Sequence, residues 1–169
     1  TLVHATHLTS DEHAILAKRK PFICACPTTE RNLGDGFLPA SKLWENRVPV
    51  CLGSDSHANI DLWEEMRLLE YHERLIHQQR NVLATIEARR GHDDRRDTWR
   101  AILPSATQHG ADSLGIEAGV IAEGRLADFV AIDLSHRSLA PTQLNTNVIL
   151  NNVALSMPPE AVSMVYVGG

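Results

Sequence analysis

Short apolar runs alternate with amphipathic stretches along the first 55 residues, in the order strand, helix, strand, helix, strand. TLVHATH predicts a short strand ending at His4. Ser10-Asp11-Glu12 predicts a helix start, with Ser10 as N-cap and two carboxylates suited to the positive helix end. HAILAKRK carries that helix to a basic last turn, and Pro21 stops it. PFICAC predicts the second strand, PTTERNLGDG a polar loop, ASKLWENR a short helix, and VPVCLGSD a buried third strand. Strands that alternate with helices predict a parallel sheet with crossover connections, hence an α/β fold.

Further along, DLWEEMRLLEYHERLIHQQRNVL predicts one long helix with Leu62, Met66, Leu69 and Ile76 on its apolar face. The charge run from Glu87 to Asp97 predicts a solvated loop. A helix is expected from about Thr98 to His109, with Pro104 costing it regularity. Glycines at 110, 115, 119 and 124 then mark turns before a buried strand, FVAID. The last thirty residues predict short strands at NVILNN and SMVYVGG.

With 43% apolar and 22% charged residues, the 169-residue chain is of ordinary globular composition. Its net charge of -5 argues against nucleic acid or an anionic membrane surface as partner. No apolar run approaches the roughly 20 residues of a membrane span. The N-terminus lacks a basic region followed by an apolar stretch, so no signal peptide is expected. Cys24, Cys26 and Cys51 sit in strand-like runs. They read as reduced, buried thiols of a cytoplasmic protein rather than a disulfide framework or a closed zinc site. TLVHATH begins at Thr1 in mid-strand and MVYVGG ends on a strand, so both ends read as cut and the chain as a piece of something larger.

Ligands of a parallel sheet gather at the carboxyl ends of its strands. Here those ends carry His4, the run Thr28-Thr29-Glu30 with Asn32, and Asp55. Imidazole and carboxylate at one rim suit a divalent metal such as zinc. They suit a general acid/base pair equally well. The plain alternatives are a helix cap or turn for Asp55 and a structural role for His4. His7 and His57 read as loop residues near the rim. His13, His72, His77, His92, His109 and His136 read as solvent-facing.

In that order and spacing, HATHLTSDE, CPTTERNLGDG and GSDSH resemble the last strands of an amidohydrolase-superfamily barrel. GVIAEGRLADFVAIDL is similar to the stretch that returns such chains to a small β-sandwich. Within the superfamily the CPTTE loop and GSDSH are most similar to the formimidoylglutamate deiminases. The resemblance implies residues 1–113 as strands six to eight of a (β/α)₈ barrel and residues 114–169 as sandwich elements. It implies that Asp55 approaches a zinc or other divalent metal and shuttles protons, and that His4 contacts substrate and the attacking water. Glu30 and Asn32 would shape or touch the substrate pocket. It also implies a small-molecule substrate and a homodimer. The superfamily's His-x-His pair and its further metal histidine are expected upstream of Thr1, and no His-x-His occurs in this chain. A full barrel needs about 250 residues, so the isolated piece is expected to be inactive.

Overall fold

The computed structural model describes residues 1–56, 59–91, 97–139 and 145–168. His57 and His92 lie outside the described residues. Three strands, β1 (Leu2–Val3), β2 (Ile23–Ala25) and β3 (Val50–Leu52), form a parallel sheet in the order β1-β2-β3. The register aligns Leu2 with Ile23 and Val50, and Val3 with Cys24 and Cys51. The ladder runs past the strand ends, with His4 N donating to the Cys24 carbonyl and Gly53 N to that of Ala25, each at 2.9 Å.

Between β1 and β2 runs α1 (Ser10–Arg19). Its N-cap is Thr9, not Ser10, because Thr9 and Glu12 form a reciprocal capping box. The backbone N–H of Lys20, in the left-handed region, donates to the Leu16 carbonyl and ends the helix. Between β2 and β3 lie α2 (Pro27–Leu33) and α3 (Ala40–Glu45). The expected polar loop is therefore a helix for its first seven residues. Pro27 fits the first helical position, where its missing N–H costs nothing, and Gly34 at φ 69° closes the other end.

The long helix is two. α4 (Leu62–His77) stops at Gln78, at φ 52°, and α5 starts at Val82 and ends at Gly91. A buried Glu70 carboxylate accepts from the N–H groups of Val82 and Leu83 at 3.0 Å, capping α5 from the side of α4. Glu87 to Gly91 thus belong to a helix rather than to a solvated loop, while residues 92–96 of that charge run lie outside the described residues. α4 buries Met66 and Leu69 as expected, but Leu62 and Ile76 are exposed. Its buried surface is completed by Glu65, Glu70, His72 and Glu73, so His72 is not solvent-facing.

α6 (Thr98–Ala106) and α7 (Gln108–Leu114) divide the next expected helix at Thr107. At the outer edge of β3, His109 Nδ1 lies 2.9 Å from the Val50 carbonyl, giving that edge group a partner. β4 (Phe129–Ile132) pairs antiparallel with β5 (Val162–Tyr166) in a second sheet of two strands. Phe129 stacks on Tyr166 with centroids 4.4 Å apart. β4 is half exposed rather than buried. NVILNN is helical within α8 (Thr146–Ser156), which Asn145 caps by accepting from the N–H groups of Asn147 and Val148. Packing of Ala154 into the main core overrides the strand preference of that stretch.

Two apolar clusters hold these parts: a smaller one of Leu139, Val153, Met157 and Ala161 packs against Ile132 and Val162 of the second sheet, and the main core lies on the first. Ile23, Ala25 and Val50 from the sheet meet Leu43, Met66, Leu83 and Ile102 from the helices. No helix among the described residues is long and apolar enough to cross a membrane.

Candidate active site

His4, Glu30 and Asp55 come together at the carboxyl ends of the sheet. His4 follows β1 at φ 64°, and Asp55 lies three residues beyond β3 at φ 49°. Left-handed backbone at a residue other than glycine is uncommon and concentrates where a side chain must be aimed. His4 Nδ1 lies 3.3 Å from Glu30 Oε1, and His4 Nε2 lies 3.6 Å from Asp55 Oδ2. The imidazole is thus held between two carboxylates. Asp55 and His4 are partly open to solvent, with side chains 40% and 32% exposed, whereas Glu30 is 1% exposed.

Glu30 reaches this position because α2 starts immediately after β2. Its Oε1 also accepts from the Cys26 N–H at 2.8 Å, in the first turn of the helix. Burial pushes the Glu30 carboxyl above the usual carboxylate range, against the lowering effect of the Cys26 N–H and His4. Its second oxygen is buried without a hydrogen-bond partner among the described residues.

The two residues before Glu30 fasten the same turn elsewhere. Thr28 donates its backbone N–H to Glu65 Oε2 at 2.9 Å and its hydroxyl to Glu65 Oε1, tying α2 to α4. Thr29 donates its hydroxyl to the Ser54 carbonyl at 2.8 Å. Three consecutive side chains therefore hold α2 to α4, to the end of β3 and to His4. Sequence reasoning singled out neither threonine for a role, and it missed Glu65 altogether. Pro27 followed seven residues later by Gly34 is the signal that could have revealed the helix. Nothing local reveals a partner 37 positions away.

Asn32 is exposed on α2, and no described contact joins it to the other three. His7 is exposed, with Nε2 3.8 Å from Asp35 Oδ1. The three cysteines are free thiols. Cys24 and Cys26 share one face beside Gly53, where an added Cβ would lie 3.1 Å from one sulfur and 3.4 Å from the other. Cys24 is pushed up to about 11 by its contact with Cys26, and Cys51 is also raised, so both stay protonated thiols at neutral pH.

No three His, Cys, Asp or Glu side chains among the described residues form a metal site of their own. Asp55 and His4 offer a carboxylate oxygen and an imidazole nitrogen, a donor chemistry that fits a divalent ion. They fit it as part of a larger ligand set. The described residues bring no complete set of ligands together around them. Thr1 itself is exposed, one residue before β1 and at the opposite end of that strand from His4.

The chain matches the amidohydrolase family over residues 1–169. It is 37% identical over 142 residues to a formimidoylglutamate deiminase of Pseudomonas aeruginosa, covering 84% of this chain and 30% of that protein. Its structure is similar to that of an amidohydrolase from Brucella melitensis, with TM-score 0.81 and 32% identity over 99% of this chain and 35% of the other. An adenosine deaminase from Xanthomonas campestris with bound zinc is also similar, with TM-score 0.73 and 26% identity over 99% of this chain and 35% of the other. The chain spans about a third of the length of these proteins.

Proposed function

The chain belongs to the amidohydrolase family, and on that premise we propose that it carries the proton-transfer side of a hydrolytic site acting on C–N bonds. The reaction we favour is deimination of N-formimino-L-glutamate, with water, to N-formyl-L-glutamate and ammonia. The likeness to the Pseudomonas aeruginosa formimidoylglutamate deiminase supports that choice. In this reading β1, β2 and β3 are the sixth to eighth strands of a (β/α)₈ barrel, and residues 114–169 return to a small β-sandwich. The observation that carries the proposal is the His4 imidazole held between Glu30 and Asp55 at the carboxyl ends of adjacent parallel strands.

Asp55 would be this chain's ligand to a divalent metal, zinc in the first instance, with His4 beside it and the other ligands contributed from upstream of Thr1. When bound, such a metal lowers the pKa of its water toward neutrality. The chain's own residues do the rest. The Asp55 carboxylate accepts a proton from the attacking water and later returns one to the leaving nitrogen, acting as base and then acid. His4, with Nδ1 engaged by Glu30, presents Nε2 to the reacting centre. There it helps stabilise the developing tetrahedral centre. Buried Glu30 holds the ring orientation rather than touching substrate. Asn32 would contribute at the rim of the substrate pocket.

The test is ammonia release by the zinc-supplied protein that carries this chain, offered N-formimino-L-glutamate, adenosine and guanine in parallel. Release from formiminoglutamate that Asp55→Asn abolishes is the expected result. Turnover of a purine alone would move the substrate to the aromatic-base class, which the likeness to the Xanthomonas campestris adenosine deaminase makes the second reading. The 169 residues by themselves are expected to be inactive, since the described residues supply only part of a metal ligand set. Ammonia above blank from them would overturn that expectation.

A further inference from the structure

At the end of the sheet opposite His4 and Asp55, beside Pro49 where the chain enters β3, lies a cavity of about 190 Å³. Its wall carries three guanidinium groups, those of Arg47, Arg90 and Arg100. They come from the α3–β3 connection, from α5 and from α6, and in a chain of formal charge -5 they stand out. Arg47 is exposed and makes no ion pair among the described residues. Arg90 donates from Nη1 to the Trp44 carbonyl at 3.1 Å and to Glu87 Oε2 at 2.8 Å. Its Nε is buried with no acceptor among the described residues. Arg100 lies 4.4 Å over the Trp99 ring and spends only Nε on Asp97, at 3.4 Å.

Among the described residues the two carboxylates therefore occupy one nitrogen each of Arg90 and Arg100. A guanidinium offers paired N–H donors in one plane, and an oxyanion with two or more acceptor oxygens matches several such donors at once. The remaining wall holds apolar Trp44 and Pro104, the His109 imidazole, and one carboxylate, Glu87, which is already paired with Arg90. The volume lies below the roughly 300 Å³ at which drug-sized ligand pockets begin, which excludes a nucleotide. We propose that this pocket binds a small oxyanion, a carboxylate or phosphate on a short apolar body, at a site separate from the candidate active site.

Titration of the chain with sodium phosphate, sodium malonate and sodium chloride at matched ionic strength tests this, read by NMR of the arginine Nε–H signals. The Arg90 signal is expected to shift saturably with phosphate or malonate and not with chloride, and the anion that binds more tightly identifies the class. Arg47→Gln and Arg100→Gln, which spare the Arg90 bond to Trp44, should each weaken binding by about tenfold. The same response to chloride, the absence of saturation, or wild-type affinity in the double variant would overturn the proposal.

Discussion

The Thr29 hydroxyl donates to the Ser54 carbonyl at 2.8 Å, so the helix that carries Glu30 also holds the peptide leading into Asp55. Thr29 is buried, and losing its hydroxyl leaves a carbonyl short of a partner. Thr29→Val is expected to lower unfolding stability by about 1–2 kcal/mol. Thr29→Ser should recover most of it. Urea unfolding of the three proteins at pH 7 checks this, and equal midpoints for Val and Ser would show that the hydroxyl does not matter.

The Glu65 carboxylate receives two donors from Thr28 in a buried setting. Glu65→Leu strands both donors, at roughly 1–3 kcal/mol each. Glu65→Gln keeps one acceptor oxygen and should cost less. Hydrogen exchange at the Thr28 amide provides a local readout: protection should fall in the Leu variant well before it falls in β2.

His72 gives the fold a pH dependence with a definite sign. Burial, followed by the charge of Arg31, lowers its imidazole from 6.5 to about 4. Its ring also packs 4.6 Å from that of Phe37. Above pH 6.5 the ring is neutral in both states. Between 6.5 and about 4 the unfolded chain binds the proton first, so stability falls on acidification by about 3 kcal/mol. Glu30 and Glu65 act in the opposite sense, because burial raises their folded-state values. Their contribution is present at low pH and lost as pH rises through those values. Comparing wild type with His72→Gln isolates the histidine: the variant should lose less stability between pH 7 and pH 4.5.

Glu30 positions His4 from one side while Asp55 faces it from the other. In the active protein Glu30→Gln is expected to reduce kcat by about 10- to 100-fold, with little change in KM. A rise in KM with unchanged kcat would instead place Glu30 in substrate binding.

Gly119 sits at φ 82°, and a Cβ there would lie 2.7 Å from Gln108 Cα and 2.8 Å from the Thr107 carbonyl oxygen. Backbone cannot yield as a side-chain end can. Gly119→Ala should therefore cost at least about 2 kcal/mol, through both the clash and the left-handed backbone. Gly124, also at positive φ but with open space around it, is the control. Its alanine variant should lose only about 1 kcal/mol, as thermal unfolding would show.

Where an element's signal is local, the order of residues was enough to place it. Ile23 to Ala25 and Val50 to Leu52 are apolar, short and bounded by breakers, and both are strands of one parallel sheet. Thr9 and Glu12 cap a helix within four residues of each other, and the expected cap missed by one position. The failures share a cause. PTTERNL is polar enough to read as loop, yet its first turn is held from outside by Glu65 and Ser54. VILNN is β-branched and apolar enough to read as strand, yet Asn145 caps it and the core receives Ala154. The run from Leu62 to Leu83 reads as one helix, but Glu70 caps a second one inside it.

The same division holds at the candidate site. Strand periodicity and parallel pairing alone determine that residues just beyond β1 and β3 share one rim, so His4 and Asp55 could be named as neighbours from the sequence. That Glu30 is buried against His4, that two threonines anchor its helix, and that His72 is a neutral core residue depend on groups 25 or more positions away. Burial and long-range hydrogen bonds are properties of the packed chain. A side chain's protonation and orientation follow from what surrounds it, and only the tertiary structure decides its surroundings.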